Sequence, residues 1–124
     1  MPREPEVISI VDDDLSVRRA LRRLVGSAGY LVETFASAQE FLGSTRQAAI
    51  GCLVLDVHMD GMSGFELQER LVSDQREIPI IFITAHDDAG TRERIRTSGA
   101  AGYLSKPFDP QDLLDAIHRV AGAA

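Results

Sequence analysis

Residues 7–14 read VISIVDDD, an apolar run that stops abruptly at three aspartates. The pattern recurs along the chain, where CLVL ends at Asp56, IIFI ends at Thr84 and GYL is closely followed by Lys106. Short apolar runs bounded by polar residues are typical of buried strands. The spacings from Asp12 through these residues to Lys106 are 44, 28 and 22 residues. Strand–helix–strand units take about thirty residues or slightly fewer, so two units fit the first spacing and one fits each of the others.

The segments between the runs carry helical signals. Leu15–Ala28 has apolar residues at helical spacing, and Ser37–Glu40 and Ser63–Glu66 match the capping box that opens a helix. The remaining expected elements are a short strand, a weak polar helix and a final helix, at Tyr30–Phe35, at Asp88–Ser98 and from Asp109 onward. Five strands that alternate with five helices predict an α/β doubly wound parallel sheet.

Composition limits the classes of protein that fit. At 124 residues the chain is expected to form a single domain over residues 1–124, with enough length to bury a core. The net charge of −6 argues against direct nucleic-acid binding, which usually needs a basic surface. The start, MPREPEV, has no apolar signal core, and no run approaches the ~18 residues of a membrane span. With Cys52 as the only cysteine, these features predict a cytoplasmic domain without membrane contact.

The polar residues that end the runs predict a reactive site. The carboxyl ends of all strands in a parallel sheet lie at one edge. The side chains of Asp12, Asp56, Thr84 and Lys106 are therefore expected to converge there. Carboxylates at Asp12, Asp13 and Asp56 would repel one another by roughly 4 kcal/mol per pair at 4 Å. A divalent cation would offset this repulsion, and hard oxygen ligands suit Mg²⁺. Lys106 could pair with Asp56 and later with a phosphoryl oxygen, so the set predicts a phosphoryl-transfer site.

Simpler interpretations exist for single members of the set. Asp14 lies next to a helix start and is expected to be only a cap with a solvated charge. Asp56 alone could be a partly buried acid held by loop amides. The combination of Asp56 with Lys106, Thr84 and the first two aspartates favours the reactive site.

Four motifs resemble the receiver domain of response regulators: VDDD at 11–14, LDVHM at 55–59, ITA at 83–85 and KPF at 106–108. The resemblance covers essentially the whole chain in order and spacing. SAQEFL at 37–42 and GCLVLD at 51–56 are similar to the FixJ-type subgroup in particular. The resemblance implies a flavodoxin-like fold with strand order 2-1-3-4-5 and helices on both faces.

The resemblance also implies how the site works. Asp56 would accept a phosphoryl group from a phosphohistidine on a sensor histidine kinase. Asp12, Asp13, Asp56 and the backbone carbonyl of His58 would hold Mg²⁺, and Lys106 would contact a phosphoryl oxygen. Such a domain promotes only its own phosphorylation and dephosphorylation, so it is not an enzyme that turns over an external metabolite.

A conformational switch follows from the same resemblance. Thr84 would move to hydrogen-bond the phosphoryl group, and the aromatic ring of Tyr103 would turn inward as Thr84 moves. The surface made by the fourth helix, the fifth strand and the fifth helix would change and could then form a homodimer. A C-terminal DNA-binding domain is usual in the subgroup and is not found in this sequence. The peptide bond Lys106–Pro107 is expected to be cis, because that bond aims the lysine.

Several positions depart from the family pattern or vary within it. Asp60 stands where a proline is usual, and an Asp-Gly turn is the expected role. His58 and His86 occupy positions that tune how long the phosphoryl group lasts, which raises the hypothesis of a pH-sensitive lifetime. Two exposed loop histidines without a role are the more common case. Arg18 and Arg22 on the first helix are candidate contacts for the kinase.

Two other functions compete with the switch. A pseudo-receiver would be an interaction module that is never phosphorylated; the complete set of site residues argues against it, whereas Asp60 favours it. An aspartate-nucleophile phosphatase of the haloacid dehalogenase type needs a second acid two residues after its nucleophile, and His58 stands there. The switch is therefore the favoured interpretation.

Overall fold

The computed structural model of the chain describes residues 6–44 and 49–122. Residues 1–5, which begin the segment without a signal core, lie outside the described part. Strands and helices alternate in the order β1 Val7–Val11, α1 Leu15–Ser27, β2 Leu31–Phe35, α2 Ala38–Leu42, β3 Ile50–Asp56, α3 Gly64–Ser73, β4 Ile80–Thr84, α4 Ala89–Thr97, β5 Gly102–Ser105 and α5 Pro110–Ala121. Among these residues, no helix has the length and apolar character needed to cross a bilayer.

The strands form one parallel sheet in the order β2-β1-β3-β4-β5, which confirms the predicted fold. The first crossover leads from β1 outward to β2, and the chain then returns past β1 to β3. The order therefore reverses between β1 and β3, and the carboxyl ends of these two strands flank a crevice. In open α/β sheets such a crevice is where ligands bind.

Alternate residues of the central strands pack into two separate hydrophobic cores, one on each face of the sheet. Leu53, Leu55 and Phe82 pack on the face covered by α2, α3 and α4. Cys52, Val54 and Ile81 point to the opposite face, under α1 and α5. The central strands β1, β3 and β4 are buried along nearly their whole length, so their ends are held rigidly.

Cys52 is a core residue. The residue is fully buried beneath α5, and burial raises the pKa of its thiol to about 12. A protonated buried thiol has neither the charge nor the access that redox chemistry requires. Cys52 therefore takes no part in the site described below.

Helix caps determine where the chain leaves the site edge of the sheet. The Asp14 carboxylate accepts hydrogen bonds from the N–H groups of Ser16 and Val17, which confirms its capping role. Ser63 and Glu66 form the complete capping box of α3, whereas Ser37 accepts the N–H of Glu40. The second strand begins one residue later than predicted, at Leu31.

Candidate functional site

Strand register brings four distant residues to one edge of the sheet. Val11 lies beside Leu55, Asp56 beside Ile83, and Thr84 beside Ser105. Asp12, Thr84 and Lys106 each directly follow one of these paired residues, so their side chains reach the same edge as Asp56. As a result, Asp12, Asp56, Thr84 and Lys106, which are up to 94 residues apart in sequence, line one crevice.

Three aspartates form an acidic cluster at the centre of the crevice, and we use that name for Asp12, Asp13 and Asp56. Each contributes one carboxylate oxygen, and these atoms all lie within 4.8 Å of one another. Asp12 and Asp56 are 0% and 5% exposed, whereas Asp13 is open to solvent. The cluster is thus closed toward the core and accessible at Asp13.

Loop N–H groups orient these carboxylates. Asp12 Oδ1 accepts from the N–H of Asp14 at 2.9 Å, and Asp56 Oδ1 accepts from the N–H of His58 at 3.2 Å. Asp13 Oδ2 accepts from the N–H of Asp60 at 3.2 Å. Neutral donors of this kind fix the direction of a carboxylate without cancelling its charge, so the repulsion within the acidic cluster persists.

Lys106 places a positive charge in contact with the acidic cluster. Its Nζ lies 2.9 Å from Asp12 Oδ2 and 3.5 Å from Asp56 Oδ2. Burial acts to lower the pKa of the ammonium, but the hydrogen bond to Asp12 and the charges of both carboxylates outweigh burial and raise it. The peptide bond Lys106–Pro107 is cis, as expected. Lys106 therefore remains charged and in contact with two members of the cluster.

Asp56 has a raised pKa, because it is buried in a cluster where three carboxylates share one ammonium. Burial raises the pKa of Asp56 to about 6, and the charge of Asp12 acts in the same direction. Lys106 and the His58 N–H lower that pKa only in part. A site of clustered carboxylate oxygens with excess negative charge and an open side fits a hard divalent cation such as Mg²⁺.

Thr84 and Tyr103 occupy different depths of the fold. Thr84 is fully buried at the end of β4, and its Oγ1 accepts the N–H of His86 at 3.0 Å. Tyr103 is 37% exposed on β5, and its hydroxyl donates to Asp87 Oδ1 at 3.4 Å. Arg92 also contacts the Asp87 carboxylate, at 3.4 Å. The ring of Tyr103 therefore lies outward, in contact with the loop that leads into α4.

Two site features were missed in the sequence. Arg18, a candidate kinase contact, donates from its guanidinium to the backbone carbonyl of Asp12 at 2.8 Å and supports the loop after β1. The Asp60 N–H that holds Asp13 would be absent from a proline, which has no N–H to donate. Asp60 is exposed, and Gly61 beside it has φ of +78°, as an Asp-Gly turn requires. Arg22 is exposed, and kinase contacts at Arg18 and Arg22 stay predictions.

The two histidines near the site contact each other. The rings of His58 and His86 have centroids 4.8 Å apart and meet edge to face at 74°. Each histidine follows its strand end by two residues, and β3 and β4 are neighbours, so the two loops run side by side. Spacing along the sequence could have indicated this contact once the strand order was known.

Comparisons with known proteins agree with this architecture. The sequence model described as "Response regulator receiver domain" matches residues 8–118. Nodulation protein W of Bradyrhizobium diazoefficiens is 46% identical, over 90% of this chain and 49% of that protein. The transcriptional regulatory protein FixJ of the same organism is 38% identical, over 86% of this chain and 52% of FixJ. The solved structure of FixJ-N matches with a TM-score of 0.86 at 33% identity, over 96% of this chain and 95% of that one. The chain spans about half the length of these curated relatives.

Proposed function

The chain belongs to the response regulator receiver domain family and is of the FixJ type, and we propose that it is a phosphorylation-controlled switch of a two-component system. Receiver domains are signalling domains, so the relevant reaction is the modification of the domain itself. In this proposal a sensor histidine kinase phosphorylates Asp56 in the presence of Mg²⁺ in the cytoplasm. The observation that carries it is the buried Asp56 carboxylate, which lies beside two further carboxylates and 3.5 Å from the Lys106 ammonium.

The acidic cluster is the proposed metal site. Its three carboxylates, together with the backbone carbonyl of His58, would hold Mg²⁺. Burial and the negative charge of Asp12 raise the pKa of Asp56, which supports this assignment because a bound cation would favour the ionised carboxylate. When bound, the ion would neutralise charge on the oxygens of the transferring phosphoryl group.

Asp56 is the proposed nucleophile. A carboxylate oxygen of Asp56 attacks the phosphorus of the donor phosphohistidine in line, the new O–P bond forms, and the P–N bond breaks. The donor imidazole leaves with the electron pair of that bond. With a pKa of about 6 the Asp56 carboxyl is mostly ionised at neutral pH, as a nucleophile must be. Lys106 is already within reach and would contact an equatorial phosphoryl oxygen.

The switch is proposed to run from Asp56 through Thr84 to Tyr103. Phosphorylation replaces one carboxylate charge with about −1.5 to −2 and three strong acceptors, by analogy with other phosphorylated side chains. Thr84 would leave its bond to the His86 N–H and donate to a phosphoryl oxygen. Tyr103 would then leave Asp87 and turn inward. The surface of α4, β5 and α5 would change accordingly, and we propose that it forms a homodimer in the phosphorylated state.

We further propose that the switch controls transcription in a longer protein. FixJ and TdiR, to which the chain is 38% and 41% identical, are named transcriptional regulatory proteins, and the chain spans about half of each. A C-terminal DNA-binding domain would supply the output. The receiver itself, with a net charge of −6, would contact the kinase and its own copy rather than nucleic acid.

Phosphorylation by a small-molecule donor tests the proposed function. Incubation with acetyl phosphate and Mg²⁺ is expected to add one phosphoryl group, detected by intact mass, because the site residues promote their own modification. Peptide mapping after borohydride reduction is expected to place the group on Asp56. Omission of Mg²⁺ with added chelator is the control and should suppress the gain. Failure of the wild-type protein to gain mass would instead indicate a pseudo-receiver.

The paired histidines are proposed to tune the lifetime of the phosphoryl group. Their rings contact each other between the loops that follow Asp56 and Thr84, and from these loops they would hinder the approach of water to the phosphorylated residue. We expect His86→Ala to shorten the lifetime several-fold, measured as the fraction phosphorylated after removal of the donor. His118→Ala, which alters an exposed residue on α5, should leave the lifetime unchanged. An unchanged or longer lifetime in His86→Ala would contradict this role.

A further inference from the structure

Two histidines and one aspartate lie together beside the acidic cluster but outside it. His58 belongs to the loop after β3, and His86 and Asp88 to the loop after β4. Both histidines and Asp88 are exposed. His58 and Asp88 also line the same cleft of about 420 Å³, which reaches from Val57 to Arg94. This group, which we call the histidine pair with Asp88, has no part in the proposed metal site except the backbone carbonyl of His58.

The spacing of the two rings fits a shared metal ion. Zn–N(His) bonds are about 2.0–2.1 Å, so two imidazoles on one tetrahedral ion have ring centroids roughly 5 Å apart. The centroids of His58 and His86 are 4.8 Å apart. Because both side chains are exposed, their rings can rotate to direct nitrogen atoms at a common point without disturbing the core.

Asp88 supplies a negative charge at the same place. Its carboxylate oxygen Oδ1 accepts the N–H of Thr91 at 2.7 Å as the cap of α4, so its position is fixed. That hydrogen bond lowers the pKa of Asp88, and the neighbouring His86 and His58 act in the same direction. The carboxylate is therefore ionised and acts on the two histidines through its charge. It is not a third ligand in the observed geometry, because among the described residues only the acidic cluster brings three donor atoms within 4.8 Å of one another.

The donor types distinguish this group from the acidic cluster. Mg²⁺ prefers oxygen ligands and octahedral geometry, whereas imidazole nitrogen suits Zn²⁺, Ni²⁺ and Cu²⁺. We propose that His58 and His86, assisted by Asp88, bind a divalent transition-metal ion, with water in the remaining positions. Such an ion would connect the loops after β3 and β4. The two imidazoles lie together in the unphosphorylated protein, so this inference does not rest on the proposed function.

Calorimetric titration of tag-free protein with Zn²⁺ tests the site. A millimolar excess of Mg²⁺ occupies the oxygen-ligand site and leaves the histidines free. Wild-type protein is expected to bind one Zn²⁺ saturably, and His58→Gln and His86→Gln are each expected to weaken binding by about tenfold or more. His118→Gln removes the remaining histidine of the chain and should bind like wild type. Circular dichroism checks that all variants are folded.

A second measurement locates the ion. Imidazole NMR signals of His58 and His86 are expected to shift on addition of Zn²⁺, while those of His118 stay in place. The proposal is overturned if wild-type protein shows no saturable binding, or if His86→Gln binds as tightly as wild type. It is equally overturned if Asp13→Asn weakens binding as much as His86→Gln does, since that result would place the ion in the acidic cluster.

Discussion

Asp56→Asn is expected to abolish phosphoryl acceptance and also to stabilise the metal-free protein by about 3 kcal/mol at neutral pH. The first effect follows because an amide is a poor nucleophile and cannot form the acyl phosphate. The second follows from the raised pKa of Asp56, about 6 in the folded protein against an ordinary value of 3.8. Each pKa unit corresponds to about 1.36 kcal/mol, so ionised Asp56 destabilises the fold.

The sign of this effect determines its pH dependence. The unfolded chain releases the Asp56 proton near pH 3.8 and the folded chain only near pH 6. Raising the pH through this window therefore lowers the free energy of unfolding, and the loss is complete above it. The neutral amide of Asn removes the penalty and keeps an oxygen that can accept the His58 N–H.

Urea unfolding in the presence of chelator measures the effect. The variant should exceed wild type by about 3 kcal/mol near pH 7.5, and the difference should shrink as the pH falls toward about 4. Asp14→Asn is the matched control, because Asn caps a helix about as well as Asp and this residue is exposed; its stability should stay within about 0.5 kcal/mol of wild type. Asp56→Asn that is no more stable than wild type near pH 7.5 would contradict the electrostatic account.

Gly64→Ala is expected to destabilise the protein by about 1–3 kcal/mol and to disturb the proposed phosphorylation site. Gly64 is the first residue of α3, and its N–H donates to the carbonyl of Val57 at 3.0 Å. A Cβ there would clash with the backbone oxygen of Asp56 and lie 3.1 Å from Cα of Val57. Backbone atoms cannot rotate away, so α3 or the end of β3 must shift.

Gly26→Ala is the matched control for this prediction. Gly26 lies in α1, is exposed and has no atom within 4 Å of the Cβ that alanine would add. Alanine is therefore expected to stabilise the protein there by about 0.5–1 kcal/mol through its better helix propensity. Urea unfolding and the rate of phosphorylation by acetyl phosphate check both variants. Wild-type stability in Gly64→Ala would show that α3 does not pack tightly against the end of β3.

The sequence was most informative about features that depend on local pattern. Apolar runs located the strands because burial on both faces demands continuous apolar residues. Caps such as Asp14 and Ser63 were predictable because a helix N-terminus needs an acceptor within three residues. Strand order came from the family resemblance, since the pattern of a strand does not specify its neighbour.

Side-chain partners across the site were less predictable. Lys106 lies closer to Asp12 than to Asp56, although the sequence suggested Asp56 as its partner. Arg18 lies one helical turn after Asp14, the cap of α1. Its side chain therefore extends over the loop after β1 and contacts the Asp12 carbonyl. The contact between His58 and His86 joins two loops that are 28 residues apart.

The amino-acid sequence by itself determined that acids, a hydroxyl and an ammonium stand at the ends of apolar strand-forming runs, because strand periodicity and capping are local properties. Only the tertiary structure decided that Lys106 contacts Asp12 as well as Asp56, that Arg18 supports the site and that His58 contacts His86. The physical reason is that these contacts depend on strand register and on rotamers set by packing between distant segments.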